Sequence, residues 1–280
     1  MGRLAPGRRG DVDRSDSPLV ERVRDGIADH GVEALSVMGL IVVWQLLAAA
    51  IANPLKLPSF LQVVDALLRQ WETILWVDLR VSLIHFSMGM AAGLLVALPI
   101  GMAMGWSRVA DRIFDPIVEL IRPIPPLAWI PFAIIWFGLT PQAAGFIVFV
   151  GAVFPILINS YVGFRSVPRI YVESAMVLGA TRNRDLIRYV AIPSALPSIA
   201  AGIRIAMGIA WMCIVAAEMF GASTRSGLGY RLWDYYSLHM MDLVFLYMIV
   251  LGLLGLLIDR TFRYVVQERL LRWQEGLRQN

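Results

Sequence analysis

The ionisable side chains of this 280-residue chain do not form the patterns that catalysis or nucleotide binding requires. Lys56 is the only lysine, and it stands in NPLKLPS without the glycine loop of a G-x-x-x-x-G-K-S/T phosphate-binding motif. His30, His85 and His239 lack metal-ligand spacing, and no G-x-S-x-G or H-E-x-x-H motif occurs. The chain therefore cannot be a conventional P-loop ATPase, and we expect no catalytic residue, metal site or cofactor of its own.

One charged residue lies within an apolar stretch, and this position suggests a role in transport. Arg204 is about ten residues into an apolar stretch; counted at ~1.5 Å per residue from Ala195, its Cα is roughly 14 Å into a membrane. A charge at that depth is costly, so it either attracts an anionic substrate or is paired, snorkels and braces the helix. With Trp211 and Glu218 it forms a tentative set of translocation-pathway residues. His85 is interpreted as a packing residue.

The composition predicts an all-α integral membrane protein. The chain is 58% hydrophobic and 16% charged, with a mean hydropathy of +0.65, whereas soluble domains carry about 25% charged residues. Six apolar stretches approach the ~20 residues needed to cross a bilayer: 34–52, 81–106, 123–139, 143–164, 195–217 and 243–258. The third contains four prolines, so we expect it to be kinked and packed against protein. These spans define a transmembrane domain over 34–264 between tails 1–33 and 265–280.

Arginine distribution predicts the orientation of the spans. With six spans, the arginine-rich segments all fall on one side, which the positive-inside rule assigns to the cytoplasm together with both termini. The expected location is therefore the cytoplasmic membrane of a bacterium or archaeon. The N-terminal tail shows no signal-peptide pattern. Ser17 and Pro18 can start a helix whose apolar face includes Val20, Val23 and Ile27, lying either on the membrane or in solvent.

Two segments on the opposite side also have recognisable patterns. Pro58 and Ser59 can start an interfacial helix, on which four apolar residues share a face: Val64, Leu68, Trp71 and Leu75. The segment 218–242 contains GASTRSGLGY, and its glycines predict a turn-rich, non-helical connection.

A polar insert between two apolar spans is the most distinctive segment. Residues 173–193 read ESAMVLGATRNRDLIRYVAIP, with helix-forming residues on both sides of Gly179 and Pro193 at the end. Such a segment is expected to stand out of the membrane as two short helices and to be gripped by a soluble partner. Gly179 lets the chain turn between the helices without the strain that a side chain would cause.

This insert resembles the EAA loop of the membrane subunits of ABC importers, in which E-A-A is followed by G and later by I/L-P. Glu173, Ser174 and Ala175 match the first element, with Ser174 in place of alanine. Gly179 with Ala180, and Ile192 with Pro193, match the others. The resemblance extends over roughly residues 57–259. Residues 122–138 and 203–230 are similar to the permeases for nitrate, sulfonates and taurine, although that subfamily often has arginine where His85 stands.

The resemblance implies a type I importer permease fold with a cytoplasmic coupling helix. The ATPase-coupling residues would be the motif residues and Arg182. The implied partners are a dimer of ATPase subunits that bind ATP and Mg, an extracytoplasmic substrate-binding protein and a second permease subunit, with no nucleic acid. We expect the third to fifth spans to lie near the two-fold axis of this dimer.

Two other functions remain open from the residues alone. An ion-gradient-driven secondary transporter would show internal repeats and ionisable residues near the membrane midplane, but no convincing repeat is visible and Arg204 is the only charge within a span. A membrane-embedded enzyme has no support from the motifs. The subfamily resemblance suggests a small anion such as nitrate, a sulfonate or taurine, although some relatives carry neutral thiamine precursors.

Overall fold

The computed structural model describes residues 18–71, 74–221 and 226–270, and every regular element in these ranges is helical. This confirms the all-α prediction. The basic tip through Ser17, the C-terminal residues 271–280 and the side chains of residues 18–33, with their predicted amphipathic face, lie outside the described part. The α-helices within it are α1 (Pro18–Ile51), α2 (Phe60–Gln70), α3 (Ile74–Trp106), α4 (Arg108–Ile121), α5 (Ile130–Phe137), α6 (Pro141–Arg165), α7 (Arg169–Val177), α8 (Asn183–Leu186), α9 (Ile192–Met219), α10 (Leu228–Ser237) and α11 (Met241–Phe262).

Five helical segments of the described chain are long and apolar enough to cross a membrane, and a bent helix pair can supply a sixth crossing. The five segments are Ala34–Ile51, Trp76–Trp106, Pro141–Arg165, Asn183–Met219 and Met241–Val266. The bent pair is Arg108–Ile121 with Pro126–Phe137. The prediction of about six spans agrees with this architecture.

The predicted third span, 123–139, is not one continuous helix. It consists of a turn, a short 3₁₀ helix (Pro126–Trp129) and α5, which has only 8 residues. Adjacent prolines at 125 and 126 remove two backbone donors and stop α4 from continuing. The result is an 85° bend between α4 and the helices that follow, so the predicted proline kink is confirmed. Because α5 is only about 12 Å long, it would need α4 to complete a crossing.

The chain divides into two compact units, Met1–Leu61 and Gln62–Asn280. In the first unit, the Trp44 indole N–H donates to the Pro58 carbonyl at 3.0 Å, and the Gln45 side-chain oxygen accepts from the Phe60 N–H at 3.0 Å. Helix α2 starts directly after Pro58 and Ser59, as predicted. It ends at Gln70, however, so Trp71 lies beyond it and Leu75 belongs to α3; the predicted four-residue face is wrong in extent.

The second unit is built on close contact of α3, α6 and α9. Small residues recur every fourth position along α3: Gly89, Gly93, Ala97, Gly101 and Gly105. A Cβ on Gly101 would stand 2.5 Å from the Leu157 carbonyl oxygen of α6. On the other side of α6, a Cβ on Gly202 of α9 would stand 2.4 Å from the Asn159 Cβ. These helices therefore approach backbone to backbone, as small residues allow in membrane bundles.

Helix α10 corrects the prediction of a non-helical connection over 218–242. Ten residues of that segment, Leu228–Ser237, form a helix. The glycines indicate turns, but distant side chains accept the free N–H groups at the start of α10. The Ser82 Oγ accepts from the Leu228 N–H at 2.9 Å, and a Glu218 oxygen accepts from the Gly229 N–H at 2.9 Å. Tertiary contacts thus replace the local cap that the sequence lacks.

Candidate ATPase-coupling segment and translocation pathway

The segment 173–193 folds as two short helices joined by a glycine turn. Helix α7 ends at Val177, Leu178 is its C-cap, and Gly179 follows with φ of +96°, in the left-handed region that favours glycine. The Ala180 N–H donates to the Ala175 carbonyl at 2.9 Å, and the Gly179 N–H donates to the Met176 carbonyl at 3.0 Å. This pair of bonds is a Schellman motif, which satisfies the last carbonyls of α7 and sets the direction of the chain after it.

Apolar side chains at the turn are exposed on the surface of the chain. Val177, the last residue of α7, is 88% exposed, and Leu178 directly after it is 87% exposed. Glu173, Ser174 and Arg182 are also exposed. Apolar side chains on such a projection are typical of a surface that a partner covers.

The base of this segment is buried. Leu186 and Ala191 have almost no exposed surface, and Ala191 packs in a cluster with Phe164, Ala195 and Ile199. Ile192 and Pro193 are half-buried and form the first turn of α9, so α8 runs through a π-helical turn (Ile187–Ala191) directly into α9. A push on the projecting turn would therefore be passed to α9 through continuous helix.

Arg204 is paired, in agreement with the bracing alternative. Its Nε lies 2.7 Å from Asp259 Oδ1 and its Nη2 lies 2.9 Å from Oδ2, a bidentate ion pair between α9 and α11. Asp259 is in the last turn of α11 and is followed by Arg260. The helical segment that contains Arg204 begins at Asn183, so Ala195 is not the first residue of the helix, and the depth of Arg204 in the membrane stays a prediction.

Trp211 also joins helices. Its indole N–H donates to the Leu251 carbonyl of α11 at 3.2 Å, and its ring meets Phe86 of α3 edge-on at 5.5 Å. These contacts indicate that Trp211 packs between α9, α11 and α3.

Glu218 is at the centre of a buried polar network. Only 1% of its surface is exposed, and its carboxylate accepts from the Ser82 hydroxyl at 2.8 Å and contacts His85 Nδ1 at 3.0 Å. His85 is likewise 1% exposed, which agrees with its interpretation as a satisfied packing residue. A Cβ on Gly227, whose φ is +118°, would stand 2.6 Å from the carboxylate.

A second buried carboxylate completes the network. Asp78 accepts from the Tyr247 hydroxyl at 3.1 Å and from the Gly227 N–H at 3.2 Å, and Arg231 Nε lies 3.4 Å from it. Burial raises the pKa of the Tyr235 phenol beside this group, which keeps its hydroxyl protonated. Together the two carboxylates hold the positive end of α10 against α3 and α9.

One feature of the helix bundle was not predicted from the sequence, a cleft that is lined in part by Arg122. It has a volume of about 370 Å³ and lies between the Arg122–Pro126 turn, α6 and α9. Arg122 falls in the predicted cytoplasmic loop between the second and third spans and is not among the predicted pathway residues. Its position between the amphipathic sequence of α4 and the proline-rich apolar segment is the signal that the sequence offers.

These features can be set beside known proteins. The family described as binding-protein-dependent transport system inner membrane component matches residues 89–270, well over half of the chain. The chain belongs to this family. As a member, it is an ABC permease subunit of the inner membrane.

Relatives with similar lengths support the assignment. A Methanocaldococcus jannaschii protein provisionally named an ABC transporter permease is 42% identical, over 85% of this chain and 90% of its own. The taurine transport system permease TauC of Escherichia coli is 34% identical, over 84% and 86%. The bicarbonate transport system permease CmpB of Synechococcus elongatus is 32% identical, over 80% and 84%.

A solved structure has the same fold. The MetNI methionine ABC transporter, in an inward-facing conformation, contains a chain that superposes with a TM-score of 0.52 and 24% identity. The match covers 68% of this chain and 98% of that one. The predicted ABC importer permease fold is confirmed.

Proposed function

We propose that this permease forms, with a second copy of itself, the membrane pathway of an ATP-driven importer for a small anion. A separate ATPase dimer binds ATP and Mg, and an extracytoplasmic binding protein delivers the substrate. The termini and the 173–193 segment face the cytoplasm, as the arginine distribution predicts. The observation that carries the proposal is the projecting glycine turn, with exposed Val177 and Leu178 above a buried base.

The coupling step follows from the rigidity of that base. Closure of the ATPase dimer moves the cleft in which the projecting turn sits. Because α8 leads through helical residues into α9, the displacement reaches α9 as a rigid-body motion. Glu173, Ser174, Ala175, Gly179, Ala180, Arg182, Ile192 and Pro193 are the residues assigned to this coupling.

The substrate class is proposed from two sources. The relatives are named for taurine and bicarbonate, which carry a sulfonate and a carboxylate-like oxyanion respectively. A positively charged Arg122 also lies beside a cleft in the bundle. Both favour an anionic group on the substrate.

Substitution of Gly179 tests the coupling. Leucine at φ of +96° is strained and should redirect the second helix, whereas asparagine tolerates this region better than other residues with a side chain. We expect Gly179→Leu to insert normally but to lose ATP-driven uptake and ATPase assembly. Gly179→Asn should retain most of both, measured in proteoliposomes and by copurification of the ATPase.

The matched control is Gly252→Leu, because a Cβ on Gly252 meets no atom within 4 Å. Its uptake should match that of the original chain. If Gly179→Leu transports at the original rate, the coupling assignment is wrong. Uptake that an ion gradient drives without ATP would contradict the importer itself.

A further inference from the structure

We propose that Arg122 and the cleft beside it form an anion-binding site on the translocation pathway, which takes a small oxyanion or the oxyanion group of a small organic molecule. The inference rests on the proposed importer function, and it identifies the residues that bind the transported anion. It replaces Arg204, Trp211 and Glu218 as the pathway candidates, since each of these is engaged in holding helices together.

The cleft has the dimensions and lining of a small-molecule site. Its volume of about 370 Å³ falls within the ~300–1,000 Å³ that ligand pockets usually have. Most of its wall is apolar, and two lining residues have charged or amide side chains, Arg122 and Asn159. The apolar lining residues are Ile124, Pro126, Val150, Gly151, Phe154, Pro155, Ile158, Ile205 and Ile209.

The cleft lies along the middle of the helix bundle. Gly151 and Asn159 line it and stand ten and eighteen residues into α6, so it extends from about 15 to about 27 Å from the start of that helix. Arg122 lines this cleft together with these residues of a membrane-spanning helix. A positive charge beside an apolar helix surface calls for a partner of opposite charge.

Arg122 has no such partner in the chain itself. Within the described residues its side chain makes neither a hydrogen bond nor an ion pair, and it is exposed. The neighbouring arginines differ: Arg204 is neutralised by Asp259, and Arg165 binds Asp111 with Nη1 to Oδ2 at 2.7 Å. A guanidinium presents a planar fork of donors that fits carboxylate or sulfonate oxygens. The missing partner is thus best supplied by the anion.

The side-chain amide of Asn159 can also donate a hydrogen bond to an anion in the cleft. Its Nδ2 donates one N–H to the Pro155 carbonyl at 2.9 Å, and the amide group has a second N–H. Ile205 and Ile209 also line the cleft and are exposed on α9, which is one of the spans expected near the two-fold axis. Two copies of Arg122 would then flank one central pathway.

The test uses the complete transporter, reconstituted with its ATPase and binding protein, and measures uptake of taurine, bicarbonate and nitrate. Arg122→Met should lower uptake by about tenfold or more, because a hydrogen-bonded ion pair to the substrate is lost. Arg122→Lys keeps the charge, and its uptake should lie between that of Arg122→Met and that of the original chain. Asn159→Asp adds a carboxylate to the cleft and should also depress uptake. Arg112→Met is the matched control, since it removes the same charge from the exposed surface of α4 without touching the cleft.

The outcomes separate the site from the function. Normal anion uptake by Arg122→Met overturns the site and leaves the proposed importer standing. Loss of assembly, by gel filtration of the complex, in both Arg122→Met and Arg122→Lys also overturns it and makes Arg122 structural. ATP-driven uptake of only neutral solutes by the original chain would contradict the proposed anion function itself.

Discussion

Individual residues in this permease are held by partners that are distant in the sequence. Glu218 is paired with Ser82 and His85, and Arg204 with Asp259. A carboxylate buried as deeply as Glu218 is tolerated because each oxygen accepts hydrogen bonds and none is left to apolar surroundings. The sequence predicted that His85 would be satisfied and gave pairing as one of two alternatives for Arg204. It could not name the partners, because nothing in one sequence marks Asp259 as lying beside Arg204.

Gly227→Ala should weaken the anchor of α10. The residue has φ of +118° and ψ of 156°, a region essentially reserved for glycine, and its Cβ would meet Glu218. We expect a loss of about 3 kcal/mol or more in stability, combining backbone strain with displaced hydrogen bonds. Gly221→Ala is the control, because Gly221 has φ of +78° but open space around its Cβ. Equal thermal unfolding midpoints for the two variants would contradict the proposed contact with Glu218.

Charge reversal tests the Arg204–Asp259 pair. Arg204→Asp or Asp259→Arg alone puts like charges within contact distance and should lower the thermal midpoint. The double variant restores an opposite pair and should recover most of the loss. Since both side chains are more than a third exposed, we expect a coupling energy on the order of 1 kcal/mol. Additive effects in the double-mutant cycle would show that the pair contributes nothing.

Helices in the second unit are placed by small residues and capped by tertiary contacts. Apolar length alone predicted where the long helices lie, because a bilayer demands it. The four-residue spacing of small residues on α3 was also present in the sequence and indicates which face meets a neighbour. Helix α10 could not be predicted, since its first N–H groups are satisfied by Ser82, which is far away in the chain, and by Glu218 at the end of the preceding span.

Gly101→Leu should disrupt the packing of α3 on α6. Its first side-chain carbon would lie 2.5 Å from a backbone oxygen, which cannot move aside as a flexible side chain can. Overpacking of this kind typically costs about 1–3 kcal/mol, and more where backbones must separate. Gly252→Leu, with open space on α11, should express and unfold like the original chain. Comparable yields of folded protein from both variants would contradict backbone contact between α3 and α6.

At the scale of the whole molecule, the exposed apolar face of α9 points to a partner. Ile205 is 51% exposed and Met212 is 75% exposed, and Gly208 between them has open space around its Cβ. A small residue on an apolar face permits close helix approach in a membrane. The family and its fold could be predicted from the sequence because the coupling motif has fixed spacing. The assembly could not be predicted, because a helix face that contacts lipid and one that contacts a second subunit carry the same apolar side chains.

Cysteine crosslinking tests the proposed dimer. In a Cys213→Ala background, Met212→Cys should give covalent dimers on mild oxidation if, as proposed, two copies of α9 lie near the two-fold axis. Leu256→Cys on α11 is the control, since it is 52% exposed but belongs to a helix not expected at the axis. A functional transporter that contains one copy of this chain in nanodiscs would contradict the proposal.

The break after Arg122 has a consequence for biogenesis. Neither α4, with 14 residues, nor α5, with 8 residues, is long enough to be inserted as an independent crossing. Helix α5 packs against α6, the next segment to leave the ribosome, and the Trp129, Trp136 and Phe146 rings meet at this junction. We therefore expect the third crossing to be completed only after synthesis of α6. Nascent chains arrested so that α5 but not α6 has left the ribosome should leave a cysteine at Phe137 accessible from the cytoplasm, whereas chains long enough to release all of α6 should protect it.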